Sequence, residues 1–219
     1  MRKLYPLLSV LFLIYWGCEN YQDTTPTEVT LWGEVYSVEN TTELDLGHNG
    51  LTGSIPSEIG NLTNLTKLIL EGNQLSGSIP PEIWNMTNLT YLDLSGNNND
   101  LSNGLSGSIP PEIWNMTNLI SLNLSDNQLT GYIYSEIGNL TNLTELRLDY
   151  NQLTGSIPSE IVNLTNLEWL TLNNNQLTDT IPNKICNFDI NWSSSTYFRI
   201  FNNQLCPPYP SCIEDYVGE

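Results

Sequence analysis

The chain has 219 residues and a formal net charge of −18, and only four of its six basic residues lie beyond position 3. Nucleic acid and anionic membrane surfaces are therefore poor partners for the folded part, because both require a basic footprint. The acidic residues are spread along the chain, which indicates a solvated surface. The length suffices for one domain with a sizeable core.

The N-terminal segment predicts export. A basic start at residues 1–3 is followed by an apolar run, residues 7–16, that is too short to span a bilayer. We assign residues 1–17 to a signal peptide and residues 18–30 to a flexible tether. The pair Gly17-Cys18 resembles a bacterial lipobox, which implies lipidation of Cys18 and a lipid-anchored, cell-surface protein. The alternative is an ordinary signal peptide with an incidental cysteine.

An internal repeat organises the remaining chain. The motif Leu-x-Leu recurs at spacings of 24, 24, 30, 24 and 24 residues, and a degenerate seventh unit begins at Phe198. The longer spacing comes from an insertion, residues 98–103, in the third unit. We predict six repeats over residues 44–197, which begin at Leu44, Leu68, Leu92, Leu122, Leu146 and Leu170.

Each repeat position has a physical role. Leu44 and Leu46 alternate with Asp45, which predicts a short strand with one buried face, and stacked units bury a continuous core. The Gly-x-Ile-Pro segments predict a tight turn followed by a short helical turn. One asparagine per unit is predicted to form a buried ladder that binds backbone groups at the strand ends. These residues are Asn49, Asn73, Asn97, Asn127, Asn151, Asn175 and Asn203.

The repeat resembles the plant-specific class of leucine-rich repeats, LxxLxLxxNxLxGxIPxxIxxLxxL, over about residues 31–205. The resemblance implies an α/β repeat solenoid, which is right-handed and curved. A parallel sheet lines its concave side, and short helical or 3-10 turns form its convex side. It also implies recognition of a protein or peptide. Two departures, Asp179 in place of glycine and Tyr134 in place of proline, are expected to loosen one turn each.

Both ends require caps, because an open solenoid end exposes apolar side chains. Residues 31–43 resemble the N-terminal cap of the plant class, and residues 198–219 are assigned to the seventh repeat and a C-terminal cap. Export makes a disulfide plausible. Cys206 and Cys212 can pair with each other, or Cys186 can pair with either of them.

The strand residues that flank the leucines are predicted to point out of the concave sheet, where they can vary without loss of the core. Tyr91 and Trp169 are the predicted anchors. Arg147 is interpreted either as a ligand contact or as local charge balance with its acidic neighbours. Trp84 and Trp114 are expected to pack on the convex side. The complete set of candidate ligand-binding residues is Tyr91, Asp93, Asn123, Glu145, Arg147, Asp149, Trp169, Thr171 and Tyr197.

These features predict a non-catalytic, extracellular binding module for a protein, peptide or extracellular polymer. The alternative is a structural or adhesive envelope protein that acts by self-association. No cofactor or metal site is predicted, because His48 is the only histidine and no phosphate-binding loop or activated nucleophile is apparent. The membrane is expected to be contacted only through the N-terminal lipid anchor, and the insertion is either a recognition loop or a remnant of duplication.

Overall fold

The structure is a computed structural model that describes residues 26–97, 104–194 and 196–215. The predicted signal peptide, Cys18, most of the tether and the insertion at residues 98–103 lie outside the described residues. Within the described part of the chain, none of the helices is long and apolar enough to cross a membrane.

The described residues form short strands, β1–β17, and 3-10 helices, η1–η6. The strands are β1 (Glu28–Leu31), β2 (Glu34–Ser37), β3 (Glu43–Asp45), β4 (Thr52–Gly53), β5 (Lys67–Ile69), β6 (Gln74–Leu75), β7 (Gly77–Ser78), β8 (Tyr91–Asp93), β9 (Leu105–Ser108), β10 (Ser121–Asn123), β11 (Gln128–Thr130), β12 (Glu145–Arg147), β13 (Thr154–Ser156), β14 (Trp169–Thr171), β15 (Gln176–Asp179), β16 (Phe198–Arg199) and β17 (Gln204–Leu205). The helices are η1 (Ser57–Asn61), η2 (Pro81–Asn85), η3 (Pro111–Asn115), η4 (Ser135–Asn139), η5 (Ser159–Asn163) and η6 (Asn183–Asn187).

One parallel sheet of seven strands, in the order β3-β5-β8-β10-β12-β14-β16, lines the concave side. The first leucines of successive repeats are paired in register, as in Leu44 with Leu68. Leu92 pairs with Leu122, so the insertion does not shift the register of the sheet. These leucines point into one continuous core, which confirms the predicted α/β repeat solenoid.

A second set of parallel strands follows the flank of the solenoid. It consists of the pair β4-β6 and the two three-stranded sheets β7-β9-β11 and β13-β15-β17. The sequence interpretation assigned only turns to this region. The strands form because the residues next to the glycine of each Gly-x-Ile-Pro segment lie close enough to those of the next coil to pair.

The convex side consists of the 3-10 helices, five of which carry a glutamate in the first turn. Trp84 and Trp114 follow the isoleucines of η2 and η3 and are buried, as expected for packing residues. Glycine occupies the same position in η1, where a Cβ on Gly60 would lie 2.5 Å from the Cβ of Glu82. The size of the side chain at this position therefore depends on the space between neighbouring coils.

The repeated asparagines form a ladder between coils. Asn73 shows the pattern: its Nδ2 donates to the backbone oxygens of Leu46 and Leu70 at 2.9 Å each. Its Oδ1 accepts from the backbone N–H of Leu51 at 3.0 Å. The equivalent bonds recur at Asn97, Asn127, Asn151, Asn175 and Asn203. Asn49 is exposed: its side chain donates to the backbone oxygen of Gly47 in its own loop, and its backbone N–H donates to the Oδ1 of Asn73.

The prediction that Tyr134 and Asp179 each loosen one turn of the solenoid is wrong. Tyr134 has φ −80° and ψ 158°, close to the −83° and 158° of Pro110 at the equivalent position, so the turn is retained. Asp179 adopts φ +65°, within the left-handed region that the repeat glycines occupy, and ends β15 without interrupting it. The cost of this conformation is modest for aspartate, which tolerates the left-handed region better than most residues.

The N-terminal cap is an antiparallel hairpin of β1 and β2. It begins at Glu28 and therefore includes residues assigned to the tether, because Val29 and Leu31 alternate into the core. Trp32 and Gly33 form the turn, both with positive φ (48° and 92°) as a two-residue hairpin requires.

Aromatic residues and one disulfide close the other end. Trp192 stacks on Phe188, with ring centroids 6.4 Å apart, and meets Phe198 edge to face at 4.8 Å. Cys186 is bonded to Cys212, which is one of the alternatives left open by the sequence. Cys206 is an exposed free thiol, so the other alternative, the short loop between Cys206 and Cys212, is not the one formed. The bond joins η6 to the C-terminal cap.

Candidate functional site on the concave sheet

The candidate residues lie in both halves of the concave sheet, and the two halves differ in how closely these residues contact their neighbours. Tyr91 on β8 is 44% exposed. Trp169 on β14 is partly buried beside Tyr197, which is 42% exposed. Three strand spacings, about 14 Å, separate Tyr91 from Trp169, so the two predicted anchors do not touch.

Three candidate residues on the concave side are buried. Asn123, Asp149 and Thr171 are exposed by only 4%, 3% and 2%. Neighbouring strands place equivalent side chains about 5 Å apart, so short polar side chains on the concave side bind each other and lose their contact with water. These three residues lie on the concave side, but mutual contacts cover them.

The first of these buried networks spans β8 and β10. The Nδ2 of Asn123 donates to Asp93 at 2.9 Å and to the hydroxyl of Ser95 at 3.1 Å. The hydroxyl of Ser125 donates to the Oδ1 of Asn123 at 2.8 Å. Both N–H groups and the oxygen of this amide are therefore hydrogen-bonded, and the network fixes Asp93, which is partly exposed.

A continuous series of contacts crosses β10, β12, β14 and the start of β16, and we call its five residues the aromatic–ionic row. The hydroxyl of Ser121 donates to Glu145 at 2.7 Å. A second oxygen of Glu145 lies 3.8 Å from the guanidinium of Arg147. The guanidinium lies over the ring of Trp169, 5.2 Å from its centroid, and Trp169 meets Tyr197 edge to face at 5.1 Å.

The aromatic–ionic row fixes large side chains in place while leaving part of each accessible. An Arg over an indole face is a cation–π contact, which is stabilising even at partly exposed sites. The two interpretations of Arg147 are compatible in this geometry, because the ion pair with Glu145 orients a guanidinium that is still about one-third exposed. The row thus presents a preorganised aromatic and cationic surface.

The rim next to the row is electronegative. Partial desolvation raises the pKa of the Asp126 carboxyl above its usual value, and the charge of Asp149 raises it further, while Arg147 lowers it. Asp149 itself is buried and accepts a hydrogen bond from the hydroxyl of Thr171. The positive charge of Arg147 is therefore largely offset by its neighbours.

Two further side chains of the row region are concave positions that the set of candidate ligand-binding residues leaves out. Ser121 begins the row, and Asn173, which follows β14, is fully buried on the concave side. Neither residue has a distinctive sequence signal, because serine and asparagine are common throughout the repeats. Only the neighbours supplied by adjacent coils identify them.

Clusters of metal-binding side chains were sought among the described residues. Nowhere in residues 26–97, 104–194 and 196–215 do three His, Cys, Asp or Glu side chains come close enough together to hold a metal ion. His48 is exposed and lies 3.7 Å from Glu71 at the edge of the sheet, which agrees with the surface role inferred from its position.

Comparisons with known proteins agree with this architecture. Sequence models described as leucine-rich repeats match residues 39–98, 88–116, 118–140, 142–164 and 166–188. Among curated proteins, no match to the chain was found.

Solved structures provide the similarity in three dimensions. The chain is 36% identical to the Arabidopsis receptor kinase HAESA, solved with the peptide hormone IDA and the co-receptor SERK1, with a TM-score of 0.66 over 74% of this chain and 26% of that one. It is 38% identical to the plant peptide hormone receptor RGFR1 in complex with RGF2, with a TM-score of 0.57 over 74% and 28%. A leucine-rich-repeat protein of Leptospira interrogans is 36% identical, with a TM-score of 0.59 over 78% and 39%.

The chain spans about a quarter of the length of these two plant receptor chains. The sequence matches nonetheless cover most of the chain, and the matched units coincide with the coils of the solenoid. The chain belongs to the leucine-rich-repeat family.

Proposed function

We propose that this protein is a non-catalytic recognition module that binds an extended peptide, or a peptide segment of a protein, across the C-terminal half of its concave sheet. The observation that carries the proposal is the aromatic–ionic row, in which Arg147, Trp169 and Tyr197 are held by mutual contacts yet stay partly exposed. Rigid aromatic and arginine side chains are the groups that dominate binding energy at interfaces.

The dimensions of the sheet support a peptide or a small protein surface as the ligand. Seven strands at about 4.8 Å give a width of roughly 30 Å, which suits a standard protein footprint or an extended peptide. Two of the similar solved structures are peptide hormone receptors in complex with their peptides. Tyr91 would provide a second, separate anchor for a ligand long enough to reach β8.

Peptide selection tests the proposal. Random linear peptides displayed on phage are selected on the immobilised full chain, and the affinities of the enriched peptides are measured for Trp169→Ala and Tyr91→Ala. We expect Trp169→Ala to weaken binding about 30-fold or more, as at interface hot spots, and Tyr91→Ala to weaken it less. Tyr132→Ala is the matched control, because Tyr132 is an exposed tyrosine (55%) that follows β11 on the flank of the solenoid.

Loss of binding in Tyr132→Ala, together with normal binding in Trp169→Ala, would place the ligand on the flank and reject the proposal. Enrichment of no peptide above an unrelated repeat protein would also reject it. Circular dichroism of each variant establishes that the solenoid is intact, because the exposed rings contribute little to the core.

We also propose that the protein is exported and anchored outside the cell through a lipid on Cys18. The bond between Cys186 and Cys212 supports an oxidising compartment. Replacement of Cys18 by serine should release the protein from membranes into the soluble fraction. If Cys18→Ser remains with the membranes, lipidation at this residue is wrong.

A further inference from the structure

Asn173 is a buried polar side chain with no internal partner. It follows Leu172, which points into the core, so strand alternation directs Asn173 to the concave side. Its exposed fraction is 0%, and neither its Nδ2 nor its Oδ1 makes a hydrogen bond within the described residues. Two donors on the same sheet, the Nε of Arg147 on β12 and the Nε1 of Trp169 on β14, are likewise buried and unpaired.

Comparison with Asn123 and with the residues equivalent to Asn173 in other repeats shows that the fold itself does not leave such side chains unpaired. Asn123 points to the same side of the sheet and binds Asp93, Ser95 and Ser125. The residues equivalent to Asn173 in neighbouring repeats, Ser125 and Asp149, also have side-chain partners. Among the described residues, the other buried side-chain atoms without a partner are the indole nitrogens of Trp32 and Trp114, whereas the remaining five atoms lie on β12, β14 and the residues that follow β14.

An unpaired amide in a protein interior lowers stability, because it loses its bonds to water and gains none. If only folding mattered, an apolar side chain at this position would give a more stable protein. Buried polar groups without partners are typical of residues that are retained for function. The unpaired groups lie within or beside the aromatic–ionic row, which is the surface assigned to the ligand.

We propose that Asn173 is a recognition residue for a carboxamide, the group shared by the peptide main chain and the side chains of asparagine and glutamine. This inference rests on the proposed function and names the chemical group recognised at that site. A carboxamide offers an acceptor and a donor, which match the Nδ2 and Oδ1 of Asn173. Further carbonyl oxygens of the same segment would accept from the Nε of Arg147 and the Nε1 of Trp169.

The electrostatics favour a neutral carbonyl over a carboxylate. Glu145 lies 3.8 Å from Arg147, and the buried Asp149 is on the same strand side, so a further negative charge would meet two acids. Desolvation is the main cause of the raised pKa of Asp126, and the charge of Asp149 raises that pKa further. A carboxamide provides the acceptor oxygen without adding charge.

Binding at Asn173 also requires a change of rotamer. Its amide has no exposed surface, so a ligand reaches it only after a side chain on the flanking strands moves. The recognised segment would then occupy the space that this side chain vacates beside Asn173.

Asn173→Leu and the matched control Asn123→Leu test the inference. Their melting temperatures are measured, along with their affinities for peptides enriched on the unmodified protein. We expect Asn123→Leu to lower the melting temperature, because it removes a hydrogen bond each from Asp93 and Ser95 and leaves the hydroxyl of Ser125 without its acceptor. Asn173→Leu should retain or raise the melting temperature and weaken peptide binding at least tenfold.

A lower melting temperature for Asn173→Leu would show that the amide is satisfied inside the fold, for example by a trapped water, and would overturn the inference. Unchanged peptide affinity in Asn173→Leu would overturn it as well. If peptides are enriched and require Trp169 but not Asn173, only this inference fails; if none is enriched, the proposed function fails with it. N-methylation along an enriched peptide, compared with replacement of its asparagines and glutamines, then distinguishes a main-chain from a side-chain carboxamide.

Discussion

The two ends of the concave sheet have the same backbone and different surfaces. On β3 and β8, the side chains of Glu43, Asp45 and Tyr91 are largely solvated or only partly covered. On β12 and β14, Arg147 and Trp169 lie in a continuous row of ionic and aromatic contacts. The strands at both ends pair in the same register, so the scaffold does not cause the difference.

The contrast shows which residues make the two ends of the concave surface different. The leucines and the ladder asparagines build every coil alike, whereas the residues between them decide whether a surface is solvated or preorganised. A preorganised surface loses less side-chain entropy on binding than a solvated one. The C-terminal half is therefore better prepared to bind a ligand.

The largest expected effect tests whether the scaffold is truly uniform. Asn73→Ala in the N-terminal half and Asn151→Ala in the C-terminal half each remove a buried amide that bonds two coils. Each variant should lose about 3–4 kcal/mol of unfolding free energy, because several backbone groups become unsatisfied. Urea denaturation measures the loss.

Asn49→Ala is the control for the ladder. Because Asn49 is exposed, this substitution should lower the unfolding free energy by less than about 1 kcal/mol. If Asn73→Ala and Asn151→Ala differ by more than about 2 kcal/mol, the scaffold is not uniform. The difference between the two halves would then lie partly in the ladder.

A second prediction concerns the disulfide, which stabilises the C-terminal end of the solenoid. Cys212→Ser removes the bond that joins η6 to the cap across a sequence separation of 26 residues. The variant should lose about 2–3 kcal/mol, because the unfolded chain gains conformational freedom. Cys206→Ser should be nearly neutral, since Cys206 is an exposed free thiol. Equal thermal stability of the two variants in non-reducing buffer would contradict the assigned pairing.

The smallest effect is a pH dependence at the rim of the row. Because the pKa of Asp126 is raised in the folded protein, its charged form is disfavoured there, and stability is lost as the pH rises through that pKa. Asp126→Asn should therefore stabilise the protein at neutral pH by about 0.5 kcal/mol or less, since solvent screens the exposed carboxyl. The gain should shrink when the pH falls below the normal aspartate range, and a gain that is independent of pH would contradict the electrostatic cause.

Much of the fold could be predicted from the sequence, because each coil is specified by local signals. The leucine spacing predicts the strand register even across the insertion, as the pairing of Leu92 with Leu122 confirms. The recurring asparagines indicate where coils are joined, and the aromatic residues near Trp192 mark the C-terminal cap.

The candidate site was less predictable, because its contacts join residues from different coils. Asn123 and Asn173 have similar sequence surroundings, but one is fully bonded and the other is unpaired. That difference depends on which side chains the neighbouring coils supply and on their rotamers. The choice of Cys186 as the partner of Cys212 likewise depends on how the cap folds back on η6.

Photo-crosslinking tests the central claim, that the C-terminal half of the concave sheet binds the ligand, most directly. An enriched peptide carrying a benzophenone group is irradiated with the unmodified full chain, and the linked residues are identified by mass spectrometry. The account predicts crosslinks on and beside β12, β14 and β16, around Arg147, Trp169 and Tyr197. Crosslinks confined to the convex helices or to β3 and β5 would contradict it.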